Sequence, residues 1–156
     1  MEKKITTLVL VHQGEKVLLG MKKRGFGQGR WNGFGGKLHE GETIEQAAKR
    51  ETFEEAGVQV GELEKFGVMD FYWKNKPEFC VEVNVFKVRI FAGIPTESEE
   101  MKPQWFDLKE IPYKEMWQDD TYWMPLFLND KKFKGKFIFD DSDNILEKEL
   151  NEVKEI

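Results

Sequence analysis

Apolar and polar positions change their period several times along the chain, and each change marks an element. Residues 5–11 are an unbroken β-branched and leucine run, and 17–19 repeat it after a polar turn containing Gly14, so the two read as paired strands. From 44 to 56 the period becomes helical: Ile44, Ala47 and Ala48 share a face that Glu51, Glu54 and Glu55 continue. Thr43 followed by Gln46 forms a capping box, and Gly57 supplies the stop. Residues 66–73 and 79–91 read as longer strands around a Lys-Asn-Lys-Pro turn, with Phe79, Val81, Val83 and Val85 alternating. A short strand is expected over 104–108. Residues 117–129 show helical spacing at Trp123, Leu126 and Phe127, with Pro125 expected to kink them. Residues 132–139 and 144–150 close the pattern as a hairpin around 140–143, and the charged tail beyond should fray. With no repeat, linker or second periodic block, residues 1–156 are expected to form one α/β domain.

Composition narrows the function. Acids outnumber bases 29 to 24, for a formal net charge of −5, which argues against a long nucleic-acid partner and for a small ligand. Cys80 is the only cysteine, so it has no disulfide partner within the chain and there is no CxxC metal site; a buried apolar role in a reducing compartment fits it. The first apolar run is broken by His12, Gln13 and Gly14, so it reads as a strand and not as a signal peptide. No run approaches a membrane span. A soluble, cytoplasmic monomer with no membrane partner is expected. His12 and His39 lack metal-ligand spacing and are expected on the surface or in loops.

Seven of the 14 glycines fall between positions 25 and 41, where the backbone must turn sharply or be approached closely. The carboxylates of the helix at 44–56 carry the chemistry. Acids on a helix usually form a solvated face, but these continue the stripe turned toward the core. Crowded there, they repel one another and lose hydration unless a cation or proton compensates. Mg²⁺, which takes a few carboxylates plus water and substrate phosphates, answers that need and implies phosphate chemistry.

Gly36, then five residues, Glu42, then seven, then Arg50-Glu51-Thr52-Phe53-Glu54-Glu55-Ala56-Gly57-Val58 resembles the signature of the Nudix hydrolases. Only Thr52 departs from it, standing where a bulky apolar residue is usual, with Phe53 as the candidate to compensate. The resemblance implies a Nudix fold, an α/β/α sandwich with a central mixed β-sheet, and hydrolysis of a nucleoside diphosphate linked to another group. It implies catalytic roles for Arg50, Glu51, Glu54 and Glu55, with Arg50 pairing with an acid such as Glu42. Glu51, Glu54, Glu55, the Gly36 carbonyl and Glu100 would hold Mg²⁺, and one glutamate, left open by the sequence, would activate water.

Residues 20–27, 30–37 and 116–120 further resemble the animal oxidised-purine nucleoside triphosphatases of that superfamily. Those enzymes convert 8-oxo-dGTP, 2-hydroxy-dATP and 2-hydroxy-ATP to the monophosphate and pyrophosphate, sanitising the nucleotide pool. By that likeness Asn32, Trp117, Asp119 and Asp120 would hold the base. Thr7, Lys22, Phe26, Phe71, Trp73 and Trp123 would line its pocket, with Cys80 or Val81 at one edge. Asp119 reads equally well as a helix cap, and Lys22 within Lys22-Lys23-Arg24 as part of a solvated strand edge. If the pocket is apolar, the crowding of Asp119 and Asp120 should raise at least one pKa and let the pair share a proton. ADP-ribose, dinucleoside polyphosphates or capped RNA are the alternative substrates, and a non-catalytic nucleotide-binding module is the alternative of another class.

Overall fold

Strand β1 (Glu2–Gln13) is buried on both sides: Leu8 and Leu10 join one apolar cluster, Val9 and Val11 the other. A strand covered on both faces needs apolar residues at every position, hence the continuous run in the sequence. The computed structural model describes residues 2–156. In it β1 pairs antiparallel with β2 (Lys16–Lys22) and parallel with β6 (Lys76–Val88). Outward from β6 follow β5 (Glu64–Trp73), antiparallel to it, β9 (Lys132–Phe139), parallel to β5, and β10 (Ile145–Val153), antiparallel to β9. Beyond the stretch paired with β1, the same edge of β2 takes β3 (Trp31–Asn32), and β8 (Met101–Asp107) pairs along its opposite edge. A separate ribbon joins β4 (Gln59–Val60) to β7 (Phe91–Ala92).

Helix α1 (Ile44–Ala56) lays Ala48 and Ala56 on the Val9 and Val11 face, and α2 (Asp120–Leu128) lays Trp123, Met124 and Phe127 on the Leu8 and Leu10 face. The architecture is the expected α/β/α sandwich around a mixed sheet. Small alanines bring α1 close to the sheet, whereas α2 is held by bulk: Trp123 stacks on Phe133 with centroids 5.5 Å apart, and Phe127 meets Phe66 edge-on. Each such aromatic contributes roughly 1.5–3 kcal/mol by burial.

Several boundaries differ from the sequence pattern. The run 79–91 stops at Val88, because Phe91 and Ala92 pair with β4 instead of continuing β6. The turn before it is only Lys74–Asn75, with Pro77 inside the strand. β10 continues to Val153, which pairs with Lys132, so the chain stays ordered three residues beyond 150. Pro125 sits inside α2, which ends at Leu128. His12 is buried in β1, its Nε2 3.0 Å from the Gly14 carbonyl, whereas His39 is exposed as expected. Thr52 is fully buried and its hydroxyl donates to the Ala48 carbonyl at 2.7 Å; Phe53, half exposed, does not fill in for it.

Candidate active site

The capping box at Thr43 and Gln46 starts α1, and Gly57 ends it with φ of 72° and an N–H donated to the Phe53 carbonyl. Between those ends the buried stripe is Ala47, Ala48, Thr52, Glu55 and Ala56. The three glutamates therefore fan outward: Glu55 is buried, Glu51 partly so, and Glu54 exposed. Glu55 accepts the Gly35 N–H at 2.9 Å, and burial raises its pKa to about 7, with Lys22 opposing and Glu51 and Glu100 adding to the rise.

Arg50 organises the others. Its Nε and Nη2 grip both oxygens of Glu42 at 2.6 and 3.0 Å, and its Nη1 donates to Glu51 at 2.8 Å and Glu54 at 3.3 Å. That bond from Arg50 holds Glu42 down at about 2. Among the described residues no three acidic, histidine or cysteine side chains close into one ligand set, since Arg50 draws Glu51 and Glu54 while Glu55 turns to Gly35. Two glycines explain the density of that loop. A Cβ on Gly35 would fall 1.8 Å from the Thr7 carbonyl, and one on Gly36 2.6 Å from the Glu51 carboxyl carbon. Without side chains there, the loop backbone closes directly onto the Glu51 carboxylate, an oxygen donor that suits a hard divalent cation, while the Gly36 carbonyl accepts the Thr7 N–H at 3.0 Å. Glu100, on the loop entering β8, is held by Lys22 at 3.0 Å and Arg24 at 2.8 Å, which depresses its pKa.

Glu55 borders a cavity of about 640 Å³ that reaches Asp119 and Asp120 at its far end. Its walls come from β1, β5, β6 and the glycine loop. Phe71 and Trp73 project from β5; Phe79, Val81 and Val83 project from β6. Phe26 packs at 5.1 Å on Trp117 and 5.9 Å on Trp73. The aspartates lie at the start of α2, each 2% exposed. Asp119 occupies the cap position but makes no cap hydrogen bond; its Oδ2 instead accepts the Trp123 indole N–H at 2.8 Å. Asp119 Oδ1 and Asp120 Oδ2 are buried with no hydrogen-bond partner. Burial raises both pKa values, and the charge of Asp119 raises Asp120 further.

The cavity brings together Thr7, Lys22, Phe26, Asn32, Gly36, Glu55, Phe71, Trp73, Val81, Trp117, Asp119 and Asp120. Trp123 is not among its lining residues: it is 1% exposed beneath them and reaches the site through Asp119. Cys80 faces away from the cavity and Val81 into it, as the alternation along β6 requires. Arg50, Glu51, Glu54 and Glu100 stand outside the lining, on α1 and on the loop entering β8. Sequence reasoning passed over Met69, Phe79, Val83 and Met101 as wall residues. For Phe79, Val83 and Met69 the signal was present, because the first two share the face of Val81 on β6 and Met69 that of Phe71 and Trp73 on β5; for Met101 no local signal existed.

The helix, its glycine loop and this sheet order define a hydrolase-type Nudix domain. The chain belongs to that family: the NUDIX domain matches residues 2–127. It is 56% identical over 150 residues to the oxidized purine nucleoside triphosphate hydrolase of Mus musculus, covering 96% of each chain. The protein of the same description from Danio rerio is 52% identical over 153 residues, covering 98% of this chain and 97% of that one. The crystal structure of a mutator MutT protein from Bacillus halodurans superposes with a TM-score of 0.85 at 27% identity, over 95% of this chain and 97% of that one.

Proposed function

We propose that this protein hydrolyses oxidised purine nucleoside triphosphates, namely 8-oxo-dGTP, 2-hydroxy-dATP and 2-hydroxy-ATP, to the monophosphate and pyrophosphate. The observation that carries it is one cavity joining the Nudix glutamate Glu55 to a buried aspartate pair with unpartnered oxygens. The near full-length relatives described as oxidized purine nucleoside triphosphate hydrolases support the same reading.

The purine enters between Trp117, Phe26 and Trp73. Asp119 and Asp120, sharing one proton, present an acceptor and a donor to its edge, and Asn32 adds a further polar contact. Moving the proton between the two carboxyls accommodates both the guanine-like edge of 8-oxo-dGTP and the altered edge of the 2-hydroxyadenines. The phosphate chain then runs past Lys22 to Glu55. Glu51, Glu54, Glu55 and the Gly36 carbonyl, with Glu100 nearby, would hold Mg²⁺, which when bound supplies charge neutralisation at the phosphates. Water adds across the bond between the α- and β-phosphates, and pyrophosphate leaves. Glu55, alone among the three glutamates in lining the cavity, takes the proton that water gives up, while Arg50 keeps Glu51 and Glu54 oriented. The protein acts as a single-domain monomer on cytoplasmic nucleotide pools, nuclear or mitochondrial pools being further sites of action, with no nucleic-acid or membrane partner.

The test is to incubate the purified protein with oxidised and unmodified purine triphosphates, with Mg²⁺ and with excess chelator, and to separate the products. Monophosphate and pyrophosphate from the oxidised purines, abolished by chelator and restored by Mg²⁺, is expected. Release of inorganic phosphate, or hydrolysis undiminished by chelator, refutes the reading.

A further inference from the structure

The turn between β9 and β10 lies outside the cavity yet fastens its purine end at two places. Asp140 shapes the turn, its Oδ1 accepting the N–H groups of Ser142 and Asn144 at 2.9 Å each. Asp143 adopts a left-handed φ of 62°, a conformation that Asp and Asn tolerate better than most residues. From there its Oδ1 accepts the Trp73 indole N–H at 3.0 Å and its Oδ2 accepts from Arg30 Nη1 at 3.3 Å. The Arg30 guanidinium lies 4.2 Å from the ring of Trp117. One carboxylate thus anchors Trp73 directly and Trp117 through a stacked cation, and these two rings, with Phe26 packed on both, wall the purine end. The second fastening is Gln118, whose side chain donates to Asn144 at 2.7 Å and accepts the Ile145 N–H at 2.8 Å. It docks the segment between Trp117 and Asp119 on the same turn.

Trp117 also borders a second, polar cavity of about 480 Å³, lined by Arg30, Gln118, Asp143 and Asn144. On that side the Arg30 guanidinium covers its ring, while Phe26 and Phe139 pack on it at 5.1 and 5.8 Å, so where Arg30 is held contributes to its placement alongside the two phenylalanines. The Arg30 to Asp143 ion pair is partly exposed on both sides and by itself adds little to stability. Its consequence is geometric.

We propose that Asp143 is a positioning residue for purine recognition: it sets the placement of the Trp73 and Trp117 walls from outside the cavity. The proposal rests on reading the cavity as a purine nucleoside triphosphate site. Asp143→Gly removes the carboxylate while keeping the left-handed backbone; Asp143→Asn keeps that backbone and an oxygen for Trp73 Nε1.

Both variants of the full chain are compared with wild type on 8-oxo-dGTP and on unmodified dGTP. Asp143→Gly should raise KM for 8-oxo-dGTP about tenfold with kcat within about threefold, and Asp143→Asn, which keeps the acceptor for Trp73 but not the one for Arg30, should recover part of that loss. Without nucleotide, the Trp73 indole proton, assigned in the NMR spectrum with Trp73→Phe, should exchange faster in Asp143→Gly than in wild type. Unchanged exchange disproves the anchor. Faster exchange with unchanged KM, or an equal fall in kcat with no rescue by Asn, disproves the positioning role. If wild type leaves 8-oxo-dGTP intact but hydrolyses another nucleoside triphosphate, the substrate reading alone fails. The same KM comparison on that nucleotide, with the exchange data, still decides the role of Asp143.

Discussion

The two ends of the cavity are both built on buried carboxylates, but they offset the burial differently. At the α1 end Glu55 has a backbone N–H from Gly35, Lys22 nearby, and the partly exposed Glu51 and exposed Glu54 beside it. Oxygens graded from core to solvent suit a cation that also takes water and substrate oxygens. At the α2 end Asp119 and Asp120 are enclosed by tryptophan and phenylalanine, and their one indole donor is neutral. There burial raises both pKa values and the charge of Asp119 raises Asp120 further, which favours a proton on the pair over two adjacent charges. On the proposed reading the same residue chemistry serves phosphate at one end and a base edge at the other, and the neighbours decide which.

Substitutions at the two ends should separate these roles. The largest effect is expected for Glu55→Gln, whose amide oxygen can still accept the Gly35 N–H: nucleotide binding is retained while kcat falls by at least ~10²-fold. Equilibrium binding and single-turnover rates measure the two separately, and near-normal turnover would remove Glu55 from the chemistry.

At the other end, Asp119→Asn still accepts from Trp123 but fixes a donor and an acceptor permanently. We expect a loss in kcat/KM of about tenfold or more and an altered preference between 8-oxo-dGTP and 2-hydroxy-dATP, with phosphate chemistry intact. Wild-type values on both purines would make Asp119 a structural residue only.

The smallest effect is on stability. Because the pKa values of the pair are raised in the folded state, their contribution is fully present below the unfolded carboxylate range and is lost as pH rises through the folded values. Asp120→Asn removes one of these titrations, so its Tm relative to wild type should climb between pH 5 and pH 9. A shift of roughly 2–4 °C per kcal/mol is expected for a chain of this size. A pH-independent difference in thermal melts would mean that the aspartates are not proton-coupled in the fold.

Much of the α1 end is legible in the amino-acid order. Thr43, Gln46, Gly57 and the glutamate spacing are local, and a helix has one geometry, so residues four apart meet on one face in any tertiary setting. The rotation of that face is not legible: the pattern treats Glu51, Glu54 and Glu55 alike, while packing against the sheet buries Glu55 and leaves Glu54 in solvent. At the α2 end a resemblance points to Asp119 and Asp120, but local pattern does not separate a helix cap from a base reader. That distinction depends on Trp123 occupying one carboxylate oxygen and on walls contributed from β5, β6 and the glycine loop.

Sequence alone therefore established what depends on neighbours along the chain: the α1 caps, the strand over residues 5–11, and the position of the β9–β10 turn. Tertiary structure decided what depends on distant partners. It broke the run 79–91 at Val88, because Phe91 found β4, and it turned Val81 rather than Cys80 into the cavity. It also set Trp123 beneath the site and brought Asp143, 70 residues from Trp73, within hydrogen-bond reach. Periodicity encodes which side a residue faces; only the folded sheet, through its strand order and register, encodes what stands opposite.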